Sequence, residues 1–243
     1  NALYSNTTVS KLVAVGDSAL YNNTAAGNTA IGSKSLFANT SGINNTAMGY
    51  LAGYNNTGGQ DNSYYGFRAG YSSDYANDNS IFGYDAGFNN QASNNSFFGS
   101  YAGRSNTYGQ QNTFIGSLSG NGNTTGYSNT FVGYLTGNSN SGGSANSLFG
   151  WRAGYSSVSA SDNSIFGYDA GYNTTGGENA FFGSYAGNAN TAGVKNTFIG
   201  RLSGRSNTIG SSNVAVGINA LYSNTTVSKL VAVGDSALYN NTA

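Results

Sequence analysis

Apolar and polar residues recur in a fixed order along the whole chain, in a short unit that repeats from one end to the other. Each unit contains a short apolar run that follows an Asn and ends at a glycine, as in Asn28–Gly32 (NTAIG) and Asn196–Gly200 (NTFIG). No stretch has apolar residues at the three- and four-residue spacing of an amphipathic helix. The looser half of each unit is rich in Asn, Thr, Ser and Gly. The pattern therefore predicts short strands and turns, in a strand–turn–strand–turn circuit.

The glycine that ends each apolar run marks the repeat, because it returns at a nearly constant spacing along the chain. A fixed period of this kind is typical of solenoids, in which each repeat stacks on the next. The sequence therefore predicts an all-β fold, a parallel β-solenoid (β-roll) of about fourteen coils with roughly 16–17 residues each. We expect each glycine to form a corner that needs a positive φ or close approach of the next coil. These corner glycines are Gly16, Gly32, Gly49, Gly66, Gly83, Gly99, Gly116, Gly133, Gly150, Gly167, Gly183, Gly200, Gly217 and Gly234.

Two longer repeats are superimposed on the coil. The stretch FRAGYSS, which begins at Phe67, recurs five coils later as WRAGYSS, which begins at Trp151. Residues 1–25 are identical to residues 219–243, which sets a period of thirteen coils. We expect residues 1–243 to form one continuous β-solenoid. In it, residues 1–218 are one tandem unit and residues 219–243 begin the next identical unit.

Asparagine recurs four residues before the corner glycine in twelve of the fourteen coils. Stacked in register, these amides can hydrogen-bond along the axis, each donating to one neighbour and accepting from the other. A second asparagine row lies seven residues after the glycine. We interpret the rows as structural ladders and not as sugar or metal sites. The first row consists of Asn28, Asn45, Asn62, Asn79, Asn95, Asn112, Asn129, Asn146, Asn163, Asn179, Asn196 and Asn213.

Two apolar residues precede each corner glycine, and successive strand residues point to opposite faces. One residue of each pair can fill the coil, so the other points outward, and strands that are apolar on both faces are normally covered on both. An alanine two residues before the glycine occurs with Leu four residues after it, whereas a large residue occurs with Gly; Ala47 with Gly53 is the exception. The two positions therefore share one space. We expect other copies of the chain to cover the outer face; a wide monomeric coil whose polar half folds over it is the alternative.

Composition and charge exclude several classes of function. Nine basic and nine acidic residues cancel, so the chain lacks the basic footprint of a nucleic-acid binder. No apolar run reaches the roughly 18 residues that would insert into a bilayer. The chain has no His and no Cys, and its carboxylates are scattered, with Asp85 and Asp169 five coils apart. We therefore expect no catalytic residue, no cofactor, no metal site and no enzyme activity.

The coil motif resembles a known family of surface proteins. The segments NTAIG at Asn28–Gly32, NTAMG at Asn45–Gly49 and VAVGDSAL at Val13–Leu20 resemble the head repeats of trimeric autotransporter adhesins. Related repeats occur in phage tail-fibre-like proteins, and the resemblance covers all fourteen coils. It implies a left-handed parallel β-roll, an assembly of three chains and an extracellular role in attachment.

These observations lead to one main hypothesis about function and two others. The main hypothesis is a structural and adhesive segment of a long extracellular fibre at the cell surface. Its partners are copies of itself, as a homotrimer or filament, together with host or cell-surface glycans or proteins. The alternative is the shaft or receptor-binding region of a phage tail fibre. The third is a carbohydrate-binding module that uses the aromatic rows Tyr54, Tyr71, Phe88 and Tyr155, Tyr172.

Overall fold

The computed structural model describes residues 1–242, which form an all-β fold without any helix. Fourteen strands of three residues each follow one another in sequence order in a single parallel sheet. The predicted parallel β-solenoid is therefore confirmed, whereas the left hand of the roll and the thirteen-coil period stay predictions. The strands are β1 Val13–Val15, β2 Thr29–Ile31, β3 Thr46–Met48, β4 Ser63–Tyr65, β5 Ser80–Phe82, β6 Ser96–Phe98, β7 Thr113–Ile115, β8 Thr130–Val132, β9 Ser147–Phe149, β10 Ser164–Phe166, β11 Ala180–Phe182, β12 Thr197–Ile199, β13 Val214–Val216 and β14 Val231–Val233.

The chain forms two compact units, Asn1–Thr125 and Gly126–Ala243. Within each unit, neighbouring strands pair residue for residue, so that equivalent positions of successive coils lie in straight columns. The columns repeat at the interstrand spacing of about 4.8 Å. We number positions from the corner glycine of each coil, so that position −2 precedes it by two residues and position +4 follows it by four.

The polar half of each coil consists of turns and does not contain the expected second strand. Residues at positions +2 and +4 have left-handed backbone, as in Leu51 (φ 56°) and Gly53 (φ 59°), which an extended strand cannot accommodate. The N–H groups of this half still bond to the next coil. Gly53 donates to the carbonyl of Ala69 and Asn55 to that of Tyr71, both at 2.9 Å. Backbone groups are thus paired between coils in the turns as well as in the sheet.

Position −2 fills the coil interior, and position +4 adapts to it. In the coil with Phe97, a Cβ added at Gly103 would lie 2.7 Å from the Cε2 atom of that ring, so only glycine fits. Where position −2 is alanine, as at Ala30, Leu36 takes the space and is fully buried. The two positions therefore share one space, as the residue sizes predicted, and that space lies inside the coil.

The exception to this size rule, Ala47 with Gly53, is explained by the neighbouring coils. A Cβ added at Gly53 would lie 2.6 Å from Cδ2 of Tyr64 in the following coil. It would also lie 2.9 Å from Cδ2 of Leu36 in the preceding coil. Tyr64 and Leu36 therefore fill the interior of this coil from the two neighbouring coils, and the coil itself has room only for the small residues Ala47 and Gly53.

The corner glycines show both features that justify glycine. Their φ angles lie between 123° (Gly16) and 144° (Gly49 and Gly83), a region that side-chain-bearing residues rarely adopt. A Cβ added at Gly99 would also lie 2.6 Å from the carbonyl atoms of Gly116 in the next coil. The result is a column of backbone without side chains between positions −1 and +1.

Candidate functional site

The asparagines at position −4 are buried in all twelve coils, none more than 2% exposed, which confirms the buried ladder. The expected amide-to-amide bonds form in part of the row, where Nδ2 of Asn62 donates to Oδ1 of Asn45 at 3.0 Å and Nδ2 of Asn79 donates to Oδ1 of Asn62 at 3.1 Å, and bonds to the backbone accompany them. Oδ1 of Asn28 accepts from the backbone N–H of Asn45 at 2.8 Å, and Oδ1 of Asn45 accepts from that of Asn62 at 3.0 Å. The Nδ2 group of Asn45 donates instead to the carbonyl of Gly59 at 2.7 Å. These amides bond to the backbone because the turn carbonyls also need donors.

The second asparagine row, at position +7, does form amide-to-amide bonds. Nδ2 of Asn39 donates to Oδ1 of Asn23 at 2.6 Å, and Nδ2 of Asn207 donates to Oδ1 of Asn190 at 2.8 Å. Both rows lie inside the coil and use their amides to hold coils together. They act as structure and present no surface for a ligand.

The second row is interrupted in the first unit at Ser73, next to an unusual interior residue. Tyr64 lies in the same coil and is fully buried, and its hydroxyl lies near that of Ser73 without a hydrogen bond of ordinary geometry. Oγ of Ser73 and Oδ1 of Asn56 are also buried without partners. Burial raises the pKa of Tyr64 above the ordinary value of a phenol. Serine is smaller than asparagine, and this coil holds a tyrosine where other coils hold Phe, Leu, Ile or Ala.

The side chains at position −1 point outward along the column of corner glycines. In the first unit Val15 is 56% exposed, Met48 43%, and Ile115 41%. On the other side of the glycines, position +1 carries exposed aromatic residues. We call positions −1 and +1 together the apolar strip. Its aromatic members at position +1 are Tyr50, Phe67 and Tyr84 in the first unit and Tyr134, Trp151 and Tyr168 in the second.

The exposure of the apolar strip corrects one expectation. A wide monomeric coil would cover position −1 with its own polar half. Instead Phe98 and Phe182 remain 38% exposed, because the polar half turns inward at the left-handed positions +2 and +4. The polar half of the coil therefore leaves these residues uncovered, and the number of chains in the assembly stays a prediction.

Two ion pairs lie beside the apolar strip, one in each unit. Nε and Nη2 of Arg68 donate to the two carboxylate oxygens of Asp85 at 2.8 and 2.6 Å, and Arg152 holds Asp169 at the same distances. The carboxylates are only 2% and 6% exposed, whereas the arginines are about one third exposed. Hydrogen bonding to the carboxylates raises the pKa of both arginines. Nε of Arg104 adds a second cation 3.8 Å from Asp85.

Sequence reasoning missed these pairs, although a signal was present. Arg68 and Asp85 both occupy position +2, in two successive coils. Residues at the same position in neighbouring coils face each other, so the spacing alone places the two charges together. The same reasoning applies to Arg152 and Asp169.

The aromatic rows at position +5 do not suit a carbohydrate-binding site. Rings of Tyr54 and Tyr71 stack at 5.2 Å, and those of Tyr71 and Phe88 at 4.9 Å. In the second unit Tyr155 and Tyr172 stack at 5.0 Å. Each ring covers a face of its neighbour, so that the row presents ring edges outward. A sugar stacks on an open ring face, and these rows are better explained as structural stacks.

A polar depression lies in the turn-rich half of the coils of the first unit, away from the apolar strip. It has a volume of about 340 Å³ and is lined by Asn55, Thr57, Ser72, Asp74 and Gln91. The lining comes from positions +6 and +8 of three successive coils. The hydroxyl of Thr57 donates to the carboxylate of Asp74. Sequence reasoning did not find this site, because its residues fall in three different coils.

Residues 1–242 contain no group of three or more His, Cys, Asp or Glu side chains placed to hold a metal ion. The same residues contain no helix that is long and apolar enough to cross a membrane. Comparison with protein-family models, with curated proteins and with solved structures finds no match to this chain. The class of protein defined by the fold is a β-solenoid with a fully occupied interior, and its function has to be inferred from its outer surfaces.

Proposed function

We propose that this chain is a structural and adhesive segment of a long extracellular surface fibre and that it carries out no catalysis. One observation carries the proposal: the interior is fully used for packing, while an apolar strip remains exposed along each unit. A folded chain that hides its polar ladders and exposes an apolar face is suited to assembly. The repeated coil, which contacts its neighbours only, is suited to a long and regular shaft.

The exposed area of the strip supports association with another chain. In Asn1–Thr125 the strip exposes on the order of 600 Å² of side chain, at the upper end of what a monomer usually exposes. A stable interface takes about 800 Å² from each partner. The second unit repeats the same arrangement. Burial of each strip against another chain therefore favours association.

A second copy of the chain is the partner that fits this strip best. Position −1 carries no charged residue in any coil, and position +1 carries only Asp17, Arg201 and Asp235. Interfaces between identical chains are more apolar than those of transient complexes. Another copy also presents its side chains at the same coil spacing, so that protruding residues of one chain can lie between those of the other. We therefore propose a homotrimer or filament.

Light scattering on the purified chain tests the association. We expect an oligomer, and we expect the double variant Phe98→Ser, Ile115→Ser to shift it towards the monomer. Tyr108→Ser is the matched control, because Tyr108 is 68% exposed but lies outside the strip. A wild-type chain that stays monomeric at high concentration would refute association through the strip.

The extracellular location needs a separate experiment, since it rests on the resemblance of the coil motif to adhesin head repeats. Antibodies raised against the purified chain should label intact, unpermeabilised cells of the source organism. Label that appears only after permeabilisation would contradict a cell-surface fibre. Label on virus particles instead of cells would favour a phage tail fibre.

A further inference from the structure

The polar depression lies where position +8 departs from the threonine that the other coils of the first unit carry there. At position +8 most coils carry threonine, whose hydroxyl donates to the backbone of the next coil. Thr24 donates to the carbonyl of Thr40 at 2.9 Å and Thr107 to that of Thr124 at 3.0 Å. Asp74 and Gln91 replace threonine in two successive coils. The carboxylate of Asp74 accepts a hydrogen bond from Thr57 of the preceding coil, whereas the side chain of Gln91 forms no bond between coils.

Three of the five side chains that line the depression are free of hydrogen bonds, while the backbone that carries them is fixed. The side chains of Asn55, Ser72 and Gln91 form no hydrogen bond with any residue of 1–242. Their backbone N–H groups bond to the next coil at 2.9, 3.0 and 3.1 Å, respectively. The depression therefore presents donors and acceptors on a rigid support, which lowers the entropic cost of binding.

An exposed aromatic residue, which does not itself line the depression, lies next to two of the lining residues. Tyr75 follows Asp74 in the chain and is 71% exposed. A Cβ added at Gly58 would lie 2.6 and 2.7 Å from two carbons of this ring, so one part of the ring packs on the backbone next to Thr57. Unlike the stacked rows at position +5, no neighbouring ring within residues 1–242 covers Tyr75.

We propose that the depression binds a neutral pyranose residue of a glycan, with Tyr75 packing against the sugar ring. Sugar hydroxyls both donate and accept, and the lining offers amides, hydroxyls and one carboxylate. The lining contains no Lys or Arg, which disfavours an anion, and a single carboxylate is too few for a firm cation site. A volume of about 340 Å³ lies at the lower end of ligand pockets, roughly 300–1,000 Å³. This proposal rests on the proposed adhesive function and specifies its ligand.

The second unit supplies a natural control for the site. Its residues equivalent to Asp74, Tyr75 and Gln91, five coils later, are Val158, Ser159 and Thr175. The carboxylate, the aromatic ring and the amide are all replaced, so the second unit should not bind at this place. The replacements also show which substitutions the coil accepts.

Saturation-transfer NMR on the full chain tests the site with four probes at millimolar concentration. These are the methyl pyranosides of β-galactose, α-mannose, β-glucose and β-N-acetylglucosamine. We expect transfer to at least one of them and at least about tenfold weaker binding for Asp74→Val with Gln91→Thr. Tyr75→Ser should also weaken binding, whereas Tyr108→Ser should not, although the two tyrosines are similarly exposed at 71% and 68%.

Three results would overturn the proposal. The first is transfer to none of the four sugars, and the second is transfer that the substitutions at Asp74, Gln91 and Tyr75 leave unchanged. The third is calorimetric binding of calcium chloride that Asp74→Val abolishes while no sugar binds, because that assigns the site to a cation. Light scattering on the same samples separates this proposal from the fibre role, since loss of the sugar site leaves association through the strip intact.

Discussion

Residues 64–116 and 148–200 are two versions of one stretch of sequence, related by a shift of five coils, and each lies within one compact unit. Their shared features are those that join coils. Both versions hold an arginine–aspartate pair with contacts of 2.6 and 2.8 Å. Both also stack two buried phenylalanines at 5.0 Å, Phe97 on Phe114 and Phe181 on Phe198.

The two versions differ at a few interior positions, such as Tyr64 and Leu148, and more often at the turn surface. Asp74 becomes Val158 and Gln91 becomes Thr175 at the turn surface. Arg104, the second cation near Asp85, becomes Asn188, which donates to the backbone carbonyl of Asp169 at 2.9 Å. The comparison teaches that coil stacking conserves most of the inner columns, while the turn surface varies more freely.

The largest difference between the two versions should come from their ion pairs. Arg152→Ala leaves the buried carboxylate of Asp169 without a cation and should cost about 3 kcal/mol of unfolding free energy. Arg68→Ala should cost less, about 2 kcal/mol, because Arg104 remains 3.8 Å from Asp85. Urea unfolding of both variants measures the difference.

A second substitution isolates the cause of that difference. Arg104→Asn, which copies the second unit, should raise the cost of Arg68→Ala to that of Arg152→Ala. Equal costs for the two single arginine variants, with or without Arg104, would show that Arg104 does not support Asp85.

Replacing a ladder asparagine should lower the unfolding free energy by the same amount in both versions. Asn112→Leu and Asn196→Leu each remove an amide from a buried row and should each destabilise by about 2 kcal/mol, within the range of ~1–3 for unsatisfied buried groups. Both asparagines accept or donate along the same row, as in the bond from the N–H of Asn112 to Oδ1 of Asn95 at 2.9 Å. Hydrogen exchange should show the loss of protection only in the adjacent coils. Protection lost along a whole unit would contradict nearest-neighbour coupling.

The sequence predicted the solenoid because one nearly constant period, marked by the corner glycines, governs every coil. It also predicted the buried row of Asn112 and its equivalents, because a polar residue repeated at one position of a stacked coil has a partner above and below. Size compensation between positions −2 and +4 located the interior, as Phe97 with Gly103 illustrates. All these inferences concern residues that repeat.

The features that the sequence did not predict depend on single departures from the repeat or on the path of the turns. The backbone at Leu51 is left-handed where a second strand was expected. Leucine rarely adopts a positive φ, so its presence in the sequence did not indicate this turn. The additional bond from Nδ2 of Asn45 to the carbonyl of Gly59 was not predicted, because the sequence does not show where the turn carbonyls lie. The depression around Asp74 combines residues of three coils, so it becomes visible only when the turns are placed in space.

A substitution at Tyr64 should have a smaller effect on the unfolding free energy, which stabilises the chain and has no counterpart in the second version. The hydroxyl of Tyr64 is buried without a hydrogen bond of ordinary geometry, and the second version has Leu148 at the same position. Tyr64→Phe should therefore stabilise the chain by about 1 kcal/mol. Phe97→Tyr is the opposite control, since its coil keeps Asn106 at position +7 and has no room for a hydroxyl; it should destabilise the chain.

The pH dependence of the unfolding free energy provides a second test of the burial of Tyr64. Burial raises the pKa of Tyr64, so the folded state keeps the proton that the unfolded chain releases near pH 10. The contribution of the neutral phenol to stability is therefore complete below about pH 10 and is lost as pH rises above it. Tyr64→Phe should unfold less steeply with pH in this range than the wild type. An unchanged alkaline profile would mean that the phenol is not buried in solution.

The smallest effect should be that of Asp74→Val on stability, less than about 0.5 kcal/mol, as for a surface site away from packing. The carboxylate accepts a hydrogen bond from the hydroxyl of Thr57, but that hydroxyl is within reach of water and keeps a partner. Val158 occupies the same position of the second version in an intact coil. Thermal unfolding measures the change. A loss of unfolding free energy above about 1 kcal/mol would show that Asp74 stabilises the fold. A negligible loss would show that the carboxylate is not needed for stability, which leaves binding as its proposed role.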